Sequence, residues 1–458
     1  MKIKEFTTVK LFYLSAAIWF VLGTTAGFID ATHLMSPDLL DNIPFLVFGR
    51  LRPMHTNLVI FGFAGTILLA AAHYIIPTLL RSPISEGLGL LSLAVWNVAI
   101  LAGTILLGFG YSQGREYAEW IWPVDIAILA SLLLMFINLA GAAARRQERD
   151  VFYVSNWYCL ATLVFIFWTY FFGNAVWNPS TGSITGLPDA QLAWFYGHSL
   201  VGLFLTPLAV AVSYYVIPIV VRAPLYSHTL SLLGFWSILV IYNHLGAHHI
   251  LQTPIPDWLK AMAVMGGIAM FVPVYIVLLN VWLTARGRLG YIHADTGGKF
   301  IMAGLIWYLL VCTQGPLQAL PIVQRVTHLN NWNIGHAHLG VLGFAGTIGL
   351  GGMWFIIPRI TSKPIYSTVL ADVQYWLVLI GMAGFMAVLT IVGLIQGSSW
   401  RNGEVVLKVL PQIYIYMVLR AAIGLLIVAG SYIGLYNLIR SIWGKKHARQ
   451  ATESRPPI

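Results

Sequence analysis

Ionisable residues are what this sequence has least of. Asp, Glu, Lys and Arg make up 9% of its 458 residues, against roughly a quarter in a soluble domain, which excludes an ordinary water-facing surface. Acids are scarcer than bases, 16 against 26, giving a formal net charge of +10. The bases sit in short connectors between apolar runs instead of in one patch, so they report topology and leave no footprint for nucleic acid. Cysteine is nearly absent: Cys159 and Cys312 each lie inside an apolar run, which leaves no disulfide framework and no Cys-x-x-Cys-His attachment motif. No linker, low-complexity tract or soluble domain interrupts the chain, and no motif stands out at a fixed period.

What is present is apolar length. Hydrophobic residues make up 58% of the chain and the mean hydropathy is +0.78. Runs long enough to cross a hydrocarbon core of about 30 Å fall near residues 10–29, 55–80, 88–110, 121–143, 153–174, 192–221, 230–250, 260–286, 299–320, 333–358, 368–397 and 412–440. These predict an all-α bundle of twelve transmembrane helices, one domain over 1–458 with short tails outside about 10–440. The first run has no clear small-residue cleavage site and reads as a retained helix. Lys2, Lys4, Lys10, Arg81, Arg145, Arg146, Arg149, Arg222, Arg286, Arg288, Arg359, Lys363, Arg440, Lys445 and Lys446 all fall on one side. The positive-inside rule makes that side, and both termini, cytoplasmic. The opposite side carries Arg50, Arg52, Arg115 and Arg325 and the longer loops 30–52, 175–190 and 398–411.

Six of the thirteen histidines fall at the non-cytoplasmic ends of these runs. His55, His198, and the pair His336 and His338 open even-numbered helices, while His248 and His249 close the seventh. Alternating helix direction therefore puts all six at one depth, where imidazole is rare and marks a site. At 3.6 residues per turn His336 and His338 point about 200° apart, so one helix can present an imidazole to each of two haems. His55 is the natural opposite ligand for one of them; the other haem keeps an open face. His198, His248 and His249 can form a three-imidazole site with an open position, suited to copper and also to zinc or iron. Copper opposite a five-coordinate haem is a dioxygen-reducing centre. Tyr242, seven residues before His249, is expected on the same helical face about 10 Å deeper.

The segments GRLRPMHTN around His55, GREYAEW and WPVDI, WFYGHSLVGLFLT around His198, FWSILVIYNHLGAHH ending at His249, and NWNIGHAHLG around His338 resemble the catalytic subunit of the C-type, or cbb3-type, haem–copper cytochrome c oxidases from about Lys10 to Arg440. The resemblance implies that His55 and His338 bind low-spin haem b, that His336 is the proximal ligand of high-spin haem b, and that His198, His248 and His249 bind copper. It places Tyr242 at the active-site tyrosine, which in the family is cross-linked to the histidine matching His198. It makes Glu116 a calcium ligand near the haem propionates, where Arg52 and His328 could pair with them. It also assigns Thr206 and Tyr308 to a proton path, with Ser237 as a further hydroxyl nearby. Membrane-anchored c-type cytochrome subunits are implied as electron donors, in a bacterial inner membrane with the metal site toward the periplasm.

Two departures open alternatives. The family reads Glu-Gly-Pro in the ninth helix where this chain has Gln314-Gly315-Pro316; a neutral side chain near the proximal histidine would alter the haem potential. A related enzyme, nitric oxide reductase, uses non-haem iron in place of copper, and its cytochrome c-dependent members carry a glutamate four residues after the histidine matching His198. Here that position is Gly202, which with Tyr242 favours copper and dioxygen over iron and nitric oxide. A haem protein that only relays electrons or senses a gas would not need the three additional histidines.

Overall fold

Lipid offers the backbone no hydrogen bonds, so each apolar run closes its own as a helix. The computed structural model describes residues 5–146, 152–177 and 186–444, and no strand occurs among them. Of the expected basic-side markers, Lys2, Lys4, Arg149, Lys445 and Lys446 lie outside the described residues. The crossing helices are α1 (Thr7–His33), α2 (Phe48–Leu80), α3 (Glu86–Gly108), α4 (Trp122–Ala144), α5 (Val154–Gly173), α6 (Gly186–Val220), α7 (His228–Tyr242), α8 (Asp257–Ala285), α9 (Thr296–Gln318), α10 (Asn331–Thr361), α11 (Thr368–Arg401) and α12 (Val406–Trp443). Eleven of them are long and apolar enough to span; α7 is the short one. The chain is an integral membrane protein.

A helix that is apolar all round must be enclosed, whereas a lipid-facing one needs only a single packed side. The central windows of α2, α6 and α10 are each 94% buried, while those of the other long helices are 33–56% buried. These three inner helices carry His55, His198, His336 and His338 between them. Each inner helix widens just after its histidine into a π-helical stretch: Leu58–Gly65, Leu200–Leu205 and Leu339–Gly346. Such widened turns leave carbonyls without their usual partner and occur at functional sites. Thr66 Oγ1 donates to Phe61 O (2.8 Å) and Thr347 Oγ1 to Leu342 O (2.9 Å), each reaching five residues back.

The basic end repeats with the same order. After α2, α6 and α10 the backbone N–H groups of Ser85, Ser227 and Ser367 donate to the side-chain oxygens of Asn138 (2.8 Å), Asn280 (3.0 Å) and Asn437 (3.1 Å). The asparagine amides donate back to the same serine carbonyls at 3.0, 2.8 and 2.9 Å. Each serine hydroxyl then caps the following helix by accepting from Leu88, Leu230 or Leu370 N. With Pro77, Pro218 and Pro358 these features recur at a period of about 140 residues. The chain thus contains a threefold internal repeat where the sequence reading expects none. Part of it is written in the letters, GFAGTI at 62–67 and again at 343–348 and Ile-Pro at 76–77, 217–218 and 357–358, while the helix widenings and the clamp geometry show only in the structure.

Three boundaries differ from expectation. The helix expected over 230–250 stops at Tyr242, and Leu245–Ile250 is a 3-10 turn; the Asn243 amide bonds back to the Leu239 carbonyl at the break. The expected loop 398–411 shrinks to four residues between Arg401 and Val406. In the expected loop 30–52, α1 continues to His33 and carries Asp30 into the interior.

Replacing Asn280 with Ala removes both bonds to Ser227 at once and should lower stability by about 1–3 kcal/mol, read as a fall in the thermal unfolding midpoint of detergent-purified protein. An unchanged midpoint would show that the clamp contributes nothing.

Candidate haem and metal centre

An imidazole becomes a directed ligand when one ring nitrogen is held by an acceptor and the other is left free. His55 Nδ1 donates to Gly23 O in α1 at 2.7 Å, and His338 Nδ1 donates to Ile334 O at 2.8 Å. Their ring centres lie 6.1 Å apart with planes 21° from parallel. Two metal–nitrogen bonds of about 2 Å, each with roughly 1 Å more to the ring centre, span about 6 Å. The pair therefore fits opposite axial positions of one haem iron. Gly27 makes the fit possible, because a Cβ there would overlap the His55 ring.

His336, two residues before His338, points to the other side of α10, and its Nδ1 donates to Gln314 Oε1 at 3.2 Å. Beyond it lie His198, His248 and His249, whose ligating atoms all fall within 4.8 Å of one another. His198 Nδ1 and His249 Nε2 approach to 3.2 Å, the separation of two nitrogens on one tetrahedral ion with bonds of about 2 Å. His198 Nε2 and His248 Nδ1 are buried without a partner. The three-histidine set thus fits a copper-sized ion, and nitrogen donors suit copper, zinc and iron alike.

The break after α7 makes this convergence possible. Tyr242 and His249 are not two turns apart on one helix, so the expected 10 Å offset does not hold. Instead the Tyr242 ring stacks on His198, centres 4.5 Å apart and planes 11° from parallel. On the same inner helix it lies where a Gly202 side chain would be. The 3-10 turn brings His249 onto Trp194, 4.1 Å between ring centres and 15° from parallel, and its neighbour's carbonyl, His248 O, accepts from Gln324 Nε2 at 2.5 Å. Trp194 opens the segment WFYGHSLVGLFLT but was given no role of its own, and Gln324 carried no sequence signal.

The remaining candidates are placed less centrally. Arg52 is ion-paired with Glu116 at 2.5 Å, both half exposed. Among the described residues Glu116 is not gathered with two further acids or histidines. His328 lines a small gap with His248, His249, Gln318, Gln324, Thr327 and Asn333. Thr206 is buried on α6, one turn beyond Gly202, and among the described residues it makes no back-bond like those of Thr66 and Thr347. Tyr308 is buried against Phe344, 4.3 Å between ring centres, with Cys312 one turn on along the same helix. Ser237 is half-buried on α7, facing none of these groups through a hydrogen bond among the described residues.

Glu119, three residues past Glu116, was missed because it reads as one more acid in an outer loop. It is buried, accepting from Asn57 Nδ2 (2.9 Å) on α2 and from Tyr117 N (3.0 Å). Burial pushes its carboxyl up to about 7.

The chain belongs to the cytochrome c and quinol oxidase polypeptide I family, whose profile matches residues 7–426. It is therefore an oxidoreductase of the haem–copper class. Among its relatives, a protein of Stutzerimonas stutzeri described as cbb3-type cytochrome c oxidase subunit CcoN1 is 28% identical over 97% of this chain and 96% of its own length. A cytochrome c oxidase subunit 1 homolog of Agrobacterium tumefaciens is 30% identical over 98% of this chain and 86% of its own. A solved haem–copper terminal oxidase dimer shares the fold, with a TM-score of 0.80 at 15% identity over 97% of this chain and 86% of that one.

A carboxyl whose folded value is raised stabilises the fold at low pH and loses that contribution as pH rises through about 7. The thermal midpoint should therefore fall as pH rises from about 4.5 to about 7 and level off above that. Glu119→Gln should flatten that fall and be the more stable form at the alkaline end. An equal fall in both proteins contradicts the assignment.

Proposed function

We propose that this chain is the catalytic subunit of a terminal oxidase that reduces dioxygen to water with electrons from a membrane-anchored c-type cytochrome. The observation that carries this reading is the occupation of the Gly202 side-chain space by the Tyr242 ring. A glutamate at 202, which would give a non-haem iron its oxygen ligand, and a tyrosine stacked on His198 exclude each other sterically. The metal set that remains is three neutral imidazoles, which suits copper.

On this reading His55 and His338 hold the low-spin haem b, His336 holds the high-spin haem b, and His198, His248 and His249 hold copper. When bound, these groups would supply electron transfer and the reduction of dioxygen. The protein's part is to fix ligands and deliver protons. The carbonyls of Gly23 and Ile334 lock His55 and His338 in the tautomer that leaves Nε2 free. Gln314 does the same for His336 without bringing a charge. Tyr242 presents its hydroxyl beside His198 and can give a proton there, and the cross-link to His198 seen in the family would fix that position further. Thr206, Ser237, Tyr308 and the Cys312 thiol extend from it toward the basic end as hydroxyl and thiol steps of a proton path. Arg52 and His328 pair with propionates. Glu116 shares its carboxylate with calcium. The basic end and both termini face the cytoplasm of a bacterial cell, and the histidine end faces the periplasm.

Metal analysis of the purified protein should find two haem irons and one copper per chain, with dioxygen turnover exceeding nitric oxide turnover. Iron in excess of haem with no copper, and faster nitric oxide turnover, would mark a nitric oxide reductase. Gly202→Glu should displace the Tyr242 ring and reduce dioxygen turnover at least a hundredfold, about 3 kcal/mol in the barrier. Gln314→Glu should strengthen the His336 hydrogen bond and lower the high-spin haem potential, read by redox titration; an unchanged potential would remove Gln314 from the tuning of that site.

A further inference from the structure

Among the buried ionisable residues that the site described above does not use are Asp30 and Arg420. Asp30 is 6% exposed, and neither of its carboxylate oxygens has a hydrogen-bond partner. It lies on the α1 face that meets the low-spin haem ligand: Gly23 accepts from His55, Gly27 lies against its ring, and Asp30 follows at i+7 and i+3 from them, one turn further out. From the other side comes Arg420 of α12, 8% exposed. Its Nη1 donates to Asn331 Oδ1 at 3.2 Å, its Nε has no partner, and its guanidinium sits 5.4 Å from the centre of the Phe385 ring. Phe385 in turn lies 4.7 Å from the His338 ring. Asp30 thus lies on the α1 face that carries Gly23 and Gly27 against His55, and Arg420 reaches His338 through Phe385.

The groups facing Asp30 can be named from every helix packed on α1. Arg420 on α12 and Arg52 on α2 are the charges that reach it. His55 on α2 is neutral when it binds a metal. The α3 helix carries no ionisable residue except Glu86 at its far end. On α1 itself, His33 turns its Nε2 to Leu39 O at 2.7 Å. A carboxylate in such a place has no donor to replace water, so burial weighs first against its anion and nearby charges adjust that balance. Arg420 and Arg52 favour the anion, and an added electron beside His55 disfavours it.

We propose that Asp30 is a proton acceptor coupled to the electron on the low-spin haem. The proposal rests on the reading of His55 and His338 as haem ligands. Reduction brings one electron from the donor and one proton from the aqueous phase at the histidine end; an O–H bond forms on the Asp30 carboxylate and no other bond changes. Oxidation returns both, leaving the charge around the pair the same in the two states.

The test is an optical redox titration of the low-spin haem in the assembled enzyme at a series of pH values, for the parent, Asp30→Asn and Asp30→Glu. The parent midpoint should fall as pH rises, Asp30→Asn should lose most of that slope, and Asp30→Glu should keep it. A reduced-minus-oxidised infrared spectrum should show a carboxyl C=O band that follows the electron in the parent and is missing in Asp30→Asn. The same slope and the same band in Asp30→Asn would overturn the proposal. If Asp30→Asn does not retain haem, the parent infrared spectrum decides alone, and absence of a redox-linked carboxyl band overturns the proposal. A parent lacking the spectrum of a bis-histidine haem fails the underlying reading first, and visibly so.

Discussion

Imidazole nitrogen placed inside a membrane bundle has to be satisfied by the protein or by a metal, since lipid supplies nothing. Here the first half of that requirement is met by carbonyl oxygens: Gly23 for His55, Ile334 for His338 and the Gln314 side chain for His336. The second half is left to whatever the free nitrogens bind. The rest of the architecture follows from keeping these rings in place. Three enclosed helices carry four of the histidines, a widened turn after each of them re-aims the chain, and the other long helices among the described residues pack around the three.

On the proposed reading, the choice of metal turns on a small volume beside His198. Gly202 has no side chain, and the Tyr242 ring takes the space beside His198. That ring reaches it only because α7 ends at Tyr242 and the chain turns through a 3-10 segment before offering His248 and His249. A straight helix would put Tyr242 and His249 two turns apart. The break therefore brings tyrosine and ion ligands together, and it belongs to the chemistry as much as to the fold.

Much of this was legible in the residues. Apolar runs give the helices, and their alternating direction led to the expectation of six histidines in one layer; the structure sets His55 beside His338 and gathers His198, His248 and His249. The family resemblance rests on the same segments and agrees with the profile match. What escaped was whatever depends on departures from a regular helix or on partners distant in sequence. The early end of α7, the threefold serine–asparagine clamp, the burial of Glu119 under Asn57 and the carriage of Asp30 into the interior all belong here. Periodicity cannot see a π turn, and an acid at the end of an apolar run looks like loop until the helix is known to continue through it.

The central claim is that α10 serves two haems from opposite sides, His338 sharing one with His55 while His336 faces the three-histidine ion. An experimental structure of the purified enzyme, with anomalous scattering recorded at the iron and copper edges, tests it most directly. One iron bonded to both His55 and His338, a second bonded to His336 alone, and a copper signal among His198, His248 and His249 are expected. An iron signal in place of copper, or a haem iron shared between His55 and His336, would contradict it.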